Sequence, residues 1–183
     1  MKPTVKAKEI IVGISGSIAA YKTVEIVSRL TEMGARANVI MTASATRFIT
    51  PLTLETISKN RVLTDLFQRP EKPSPLHISL AERADLILIC PATANIIGKL
   101  AAGIADDLLT CTVLASSSKV LICPAMNEGM YKNKILQTNI QKLKKMGYGF
   151  IGPEQGKLAS GSRGKGRLSG AEAVLKAVNK ALR

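Results

Sequence analysis
A lone histidine and a few short polar segments placed where apolar runs end are the groups in this chain with chemistry to offer. PAMN (Pro124 to Asn127) follows the apolar VLIC directly, and PATAN (Pro91 to Asn95) follows LILIC in the same way. An asparagine amide fixed at such a place can hold a carboxylate or an amide of a bound molecule, or can simply mark where the chain meets solvent. His77, in LHISLAERAD, is the only histidine. An imidazole relays protons near neutral pH, and its plain alternative is a helix-capping or surface role. SGSIA (Ser15 to Ala19) sets Gly16 and Ser17 at the start of a predicted helix, where free N–H groups and the positive dipole end accept a phosphate. Its spacing, GISG, is G-x-x-G and not the G-x-G-x-x-G of dinucleotide sites, which favours one phosphate over two. Ser15 or Ser17 could also serve only as an N-cap. TASATRF (Thr42 to Phe48) is a further polar segment, and glycines at 156, 161, 164 and 166 alternate with Lys157, Arg163, Lys165 and Arg167. Such a segment suits a cationic flap over an anion as well as an ordinary solvated loop.

The elements around these segments are legible from periodicity. EIIVGIS (Glu9 to Ser15), ARANVIMT, LILICPA (Leu86 to Ala92) and KVLICPA (Lys119 to Ala125) read as strands, with YGFIGP as a last one. Ala20, Val24, Val27 and Leu30 recur at helical spacing until Gly34, and KNKILQTNIQKLKKMG places Ile135, Leu136, Ile140 and Leu143 on a predicted common face. Strands apolar throughout and alternating with helices predict an α/β fold, a doubly wound parallel sheet covered on both faces in a three-layer sandwich. In such a fold ligands bind at the carboxyl ends of the strands, where the polar segments fall. The expectation is one domain over residues 1–183, with the loop at 153–170 standing out.

The cysteines number three and lie in or beside apolar runs, which predicts buried thiols in a cytoplasmic, reducing setting. No signal-peptide shape and no apolar run of transmembrane length is present, so no membrane is expected. The net charge of +13 invites a nucleic-acid reading, but aromatic residues are 3% and the basic residues are dispersed, so no stacking platform or basic arm forms. The surplus instead suits anionic small molecules, or plain solvation. No metal is expected.

GSIAAYK, TASATRFITPLT, PATANIIGKLAAGIADDLLT and PAMNEGM, in this order, resemble the motifs of the homo-oligomeric flavin-containing Cys decarboxylases, and GKLASGSRGKGR resembles their substrate clamp. The resemblance runs from about Gly13 to Arg167 and is nearest to the branch that decarboxylates 4'-phosphopantothenoylcysteine to 4'-phosphopantetheine in coenzyme A biosynthesis. It implies a Rossmann-like flavoprotein with FMN as cofactor, a small-molecule substrate, a homotrimer or dodecamer, and a phosphopantothenate–cysteine ligase as a separate protein. The apolar stretch at 101–115 fits an oligomer. By the same resemblance Gly16, Ser17 and Ile18 hold the FMN phosphate with Ser44, Thr53 lies near the flavin, and Thr93, Ala94, Asn95 and Ile96 border the ring and its chain. Asn127 holds the substrate carboxylate or amide beside Ala125 and Met126. His77 is implied as the catalytic histidine, and Lys157, Ala159, Arg163 and Arg167 belong to the clamp.

The clamp departs from the branch pattern in one chemical group. Where the branch carries a proton-donating cysteine in LACG, this chain reads LASG with Ser160, and Leu168 stands where methionine is usual. A hydroxyl is a far weaker acid than a thiol, so the resemblance leaves the oxidative half of the reaction untouched and the reductive half open. An oxidative decarboxylase of a peptide C-terminal cysteine and a non-catalytic flavin-binding regulatory subunit therefore stand beside the first reading. The related flavin prenyltransferases are less similar, because PAMN replaces the segment expected there.

Overall fold
The computed structural model describes residues 5–67 and 74–183. Strand β1 (Glu9–Ile14) leads through the Gly16 turn into α1 (Ala20–Glu32), and β2 (Arg36–Met41) follows. After α2 (Pro51–Ser58) and α3 (Leu76–Arg83) come β3 (Leu86–Ala92), α4 (Ala94–Ala102), α5 (Leu108–Ala115) and β4 (Lys119–Pro124). Short α6 (Glu128–Lys132), α7 (Lys134–Lys145) and the two-residue β5 (Gly149–Phe150) complete the main sheet side. The chain ends with β6 (Glu154–Lys157), β7 (Arg163–Arg167) and α8 (Ala171–Ala181).

The main sheet has five parallel strands in the order β2-β1-β3-β4-β5. Its strands are buried on both faces, and side-chain alternation divides them between two cores. Ile10, Val12, Leu86 and Leu88 pack with α1 and α8 residues such as Ile26, Leu30 and Val174. Ile11, Ile87 and Ile89 pack on the other face with Ile97, Leu109 and Ile140 of α4, α5 and α7. The expected doubly wound three-layer α/β sandwich is the fold observed. Successive connections leave β1 and β3 toward opposite edges, so a crevice opens between their carboxyl ends.

Four details depart from the sequence reading. Ile135 is 74% exposed, because the buried face of α7 is Leu136, Ile140 and Leu143, and the preceding residue lies a rotation of about 100° away. Cys90 and Cys123 are buried as expected, but Cys111 is half-buried, with its thiol donating to the Ala105 carbonyl at 3.3 Å. The apolar stretch at 101–115 is largely covered within its own chain: Leu108, Leu109 and Val113 are buried, and only Ile104 and Leu114 among its large apolar residues are exposed. The 153–170 segment is also more ordered than a loop, since β6 and β7 form an antiparallel hairpin outside the main sheet.

Candidate active site
The carboxyl ends of β1 and β3 are tied together by one hydroxyl. Ser15 Oγ donates to the Pro91 carbonyl at 2.8 Å and accepts the Thr93 N–H at 3.0 Å, and it is buried. Thr93 in turn caps α4 by accepting the Ile96 N–H, so the β1 turn and the start of α4 are held as one unit. A Cβ on Gly16 would overlap the Cβ of Ser44, so only glycine lets the turn come this close to the segment after β2. Among the described residues the N–H groups of Gly16 and Ile18 have no hydrogen-bond partner.

A cleft of about 470 Å³ opens over this unit at the switch point. Gly16, Ser44, Thr93, Ala94, Asn95 and Ile96 line it. The residues fit an FMN phosphate and its chain: an unpartnered amide, a cradle that a side chain would fill, and hydroxyls at helix starts. Its wall contains a cluster absent from the sequence reading. Lys99 Nζ lies 2.7 Å from Asp106 and 3.1 Å from Asp107, pinning the turn before α5 to α4. The signal that could have revealed it is the Asp107–Thr110 spacing of a capping box, which the structure contains.

Burial pushes the Asp107 carboxyl up, but the Thr110 N–H, the Lys99 ammonium and the Thr110 hydroxyl together outweigh it and hold the group below its ordinary value. A depressed carboxylate stabilises the fold fully above its unfolded pKa of about 4, and that contribution is lost as pH falls through the folded value. Asp107→Ala should therefore cost about 1 kcal/mol at neutral pH, the usual loss for an N-cap, and the gap from the parent should shrink in acid. Thermal unfolding followed between about pH 3 and pH 7 checks this. Equal unfolding temperatures at every pH would remove the role.

A second cleft, of about 490 Å³, lies between the start of α1, the PAMN segment and the hairpin. Ser17, Ile18, Ala125, Met126 and Asn127 line one side, and Lys157, Ala159, Ser160 and Arg167 the other. Ser17 and Ile18 thus face this cleft, whereas the resemblance groups them with Gly16 around one phosphate. Lys22 joins Lys157 and Arg167 here, and among the described residues no Asp or Glu lines the cleft, so its field favours an anion. Lys22 and Tyr21 were not singled out in the sequence, although both fall in the GSIAAYK motif.

Asn127 is both cap and candidate ligand-holder. Its Oδ1 accepts the Gly129 N–H at 2.7 Å, which fixes the rotamer and leaves Nδ2 as a donor suited to a carboxylate oxygen. Ser160 Oγ and Ser162 Oγ are 2.8 Å apart. Three candidates stay outside both clefts. Thr53 lies in α2 with its hydroxyl 3.1 Å from that of Thr50, Arg163 is exposed on β7, and His77 is half-buried at the second position of α3. Among the described residues no group of three or more His, Cys, Asp and Glu side chains could hold a metal, and no helix is long and apolar enough to cross a membrane.

The comparisons with known proteins agree with this geometry. The family model described as Flavoprotein matches residues 2–183. The chain is 49% identical over 173 residues to the coenzyme A biosynthesis bifunctional protein CoaBC of Borreliella burgdorferi, covering 94% of this chain and 44% of that protein. It is 42% identical over 177 residues to a probable phosphopantothenoylcysteine decarboxylase of Streptococcus mutans, covering 96% and 99%. It thus spans less than half of its bifunctional relative and nearly the whole of the other. Among solved structures, a cysteine-to-serine mutant of PPC decarboxylase complexed with pantothenoylaminoethenethiol superposes with a TM-score of 0.86 at 30% identity, covering 96% of this chain and 98% of that one. The FMN-dependent cysteine decarboxylase SpaF superposes with a TM-score of 0.83, also at 30% identity, covering 98% and 97%. With a model matched over nearly its entire length and relatives at 42% and 49% identity, the chain belongs to the flavoprotein family.

Proposed function
We propose that this chain is an FMN-dependent decarboxylase of 4'-phosphopantothenoylcysteine that yields 4'-phosphopantetheine for coenzyme A synthesis. The observation that carries the reading is the pair of clefts meeting at Gly16 and Ser17, one built for a single phosphate and its chain, the other cationic and closed by a hairpin. FMN would be held by the Gly16 amide, the Ser44 hydroxyl and the Thr93–Ile96 segment, and when bound it supplies the redox chemistry that lets a cysteine carboxylate lose carbon dioxide. Asn127 Nδ2 orients the substrate carboxylate, while Lys157 and Arg167 neutralise the substrate phosphate and draw the hairpin over it. The relatives' names support this substrate.

Oxidative decarboxylation without the reductive half is the second reading, and Ser160 favours it, since no thiol lines the hairpin cleft. A structural neighbour with serine in place of a cysteine holds the corresponding enethiol. Buried Cys90 and Cys123 fit a reducing, cytoplasmic setting. Self-association into a trimer or an assembly of trimers is implied by the resemblance, and exposed Phe48, Leu52, Ile104 and Met130 are apolar side chains it could cover. For a chain spanning less than half of its bifunctional relative, a ligase encoded apart is one arrangement, and one joined to it the other.

Incubating the FMN-loaded protein with 4'-phosphopantothenoylcysteine and following the product by mass spectrometry tests the reading. Loss of carbon dioxide supports it, and unchanged substrate with bound FMN overturns it. Gly16→Ala should purify folded and colourless and take up FMN at least about 100-fold more weakly, because the new methyl fills the cradle against Ser44.

A further inference from the structure
We propose that Glu128, the residue after Asn127, is a positioning residue that holds the hairpin over the substrate cleft and thereby sets substrate affinity. The proposal deepens the decarboxylase reading and rests on it for the identity of the substrate. Glu128 opens α6, and its Oε1 accepts the backbone N–H of Lys165 at 3.0 Å. Two residues earlier in the chain, Met126 N–H donates to the Gly166 carbonyl at 3.0 Å. These two bonds flank Asn127 and fasten β7 to the segment that carries it.

The sequence of β7 is shaped for this contact. In RGKGR, Gly164 and Gly166 are buried while Arg163, Lys165 and Arg167 are exposed, the alternation of a strand with one face pressed on a partner. A Cβ on Gly164 would lie 2.6 Å from the Glu128 carboxyl carbon, and one on Gly166 would overlap the Met126 carbonyl oxygen. Glycine at both places is what lets the strand reach the carboxylate and the 126–128 backbone. The Lys165 ammonium meanwhile sits 5.7 Å from the centre of the Tyr131 ring, on the same short helix.

A tether matters here because the hairpin is a separate two-stranded sheet, and an isolated pair of strands is at best marginally stable in water. A carboxylate accepting a backbone N–H makes a stronger bond than a neutral acceptor would. Lys132, one turn along α6 with its Nζ 3.0 Å from Glu128 Oε1, keeps the carboxylate in place. The bonds to Lys165 and Lys132 also hold the Glu128 carboxyl below its ordinary value. Released from Glu128, the hairpin would still carry Lys157 and Arg167 but would spend less time closed, so the loss should fall on binding more than on chemistry.

The test uses FMN-loaded protein and the variants Glu128→Ala and Glu128→Gln, with amide hydrogen exchange at Lys165 and the KM and kcat for 4'-phosphopantothenoylcysteine as readouts. Glu128→Ala should speed exchange at Lys165 by about tenfold and raise KM by about five- to tenfold, with kcat changed about twofold or less. Glu128→Gln should fall between, because its amide oxygen still accepts the N–H without the charge. Wild-type exchange and wild-type KM in Glu128→Ala would overturn the proposal, as would a fall confined to kcat. Should the parent show no turnover, the substrate reading fails on its own, and exchange at Lys165 still decides whether Glu128 holds the hairpin.

Discussion

Converting His77 to asparagine should lower carbon dioxide release by about 100- to 10,000-fold, the usual contribution of a positioned proton-transfer group, while FMN binding and thermal stability stay near those of the parent. The position of the ring makes this more than a check on a lone histidine. His77 lines neither cleft, is half-buried on α3, and among the described residues its side chain makes no hydrogen bond. Asn127, by contrast, is fixed on the cleft wall. Carbon dioxide release near the parent rate in His77→Asn, with FMN bound, would return the histidine to a structural role.

The layers of the fold were readable because the strands that build the main sheet are apolar along their whole length. LILICPA was predicted over Leu86 to Ala92, and β3 has those bounds, since burial on both faces leaves no polar alternation to blur its ends. The hairpin was not readable as strands. EQGK and RGKGR have little β-propensity, and they pair because β7 docks on the 126–128 backbone, a contact between segments about 40 residues apart that periodicity cannot register. Lys99 with Asp106 and Asp107 is a local case: they meet because Gly103, at φ +72°, turns the chain back after α4, and the capping-box spacing at Asp107 and Thr110 is the one trace of it in the sequence. Thr53 and His77 show the opposite limit. Each is carried by a motif, yet neither lines a cleft, because motif order records which segments are present and not where the fold puts each side chain.

Replacing Ser160 by cysteine should raise the yield of fully reduced 4'-phosphopantetheine by about 100-fold, within the range a positioned general acid contributes. Ser160 lines the hairpin cleft together with Asn127, Lys157 and Arg167, so on the proposed function a group there faces the substrate. Its hydroxyl is paired with that of Ser162 at 2.8 Å, and a pair of hydroxyls is a poor source of protons at neutral pH compared with a thiol whose ordinary pKa is about 8.5. Cys90 and Cys123 cannot substitute, being buried in the sheet, and Cys111, on α5, bonds to the Ala105 carbonyl in the turn before that helix. Burial and the nearby Asp107 and Asp106 carboxylates push the Cys111 thiol up as well, further from the range of a useful acid. On the second reading, without the reductive half, the unaltered chain releases a product two mass units lighter than the saturated thiol and depends on oxygen for repeated turnover. Ser160→Cys should then release the saturated thiol and turn over without oxygen, and Ser162→Cys, close to it but not lining the cleft, should not. Many turnovers of the unaltered chain in the absence of oxygen, with the saturated thiol as product, would leave the first reading standing and show that another group in the cleft donates the proton and that Ser160 sets no limit.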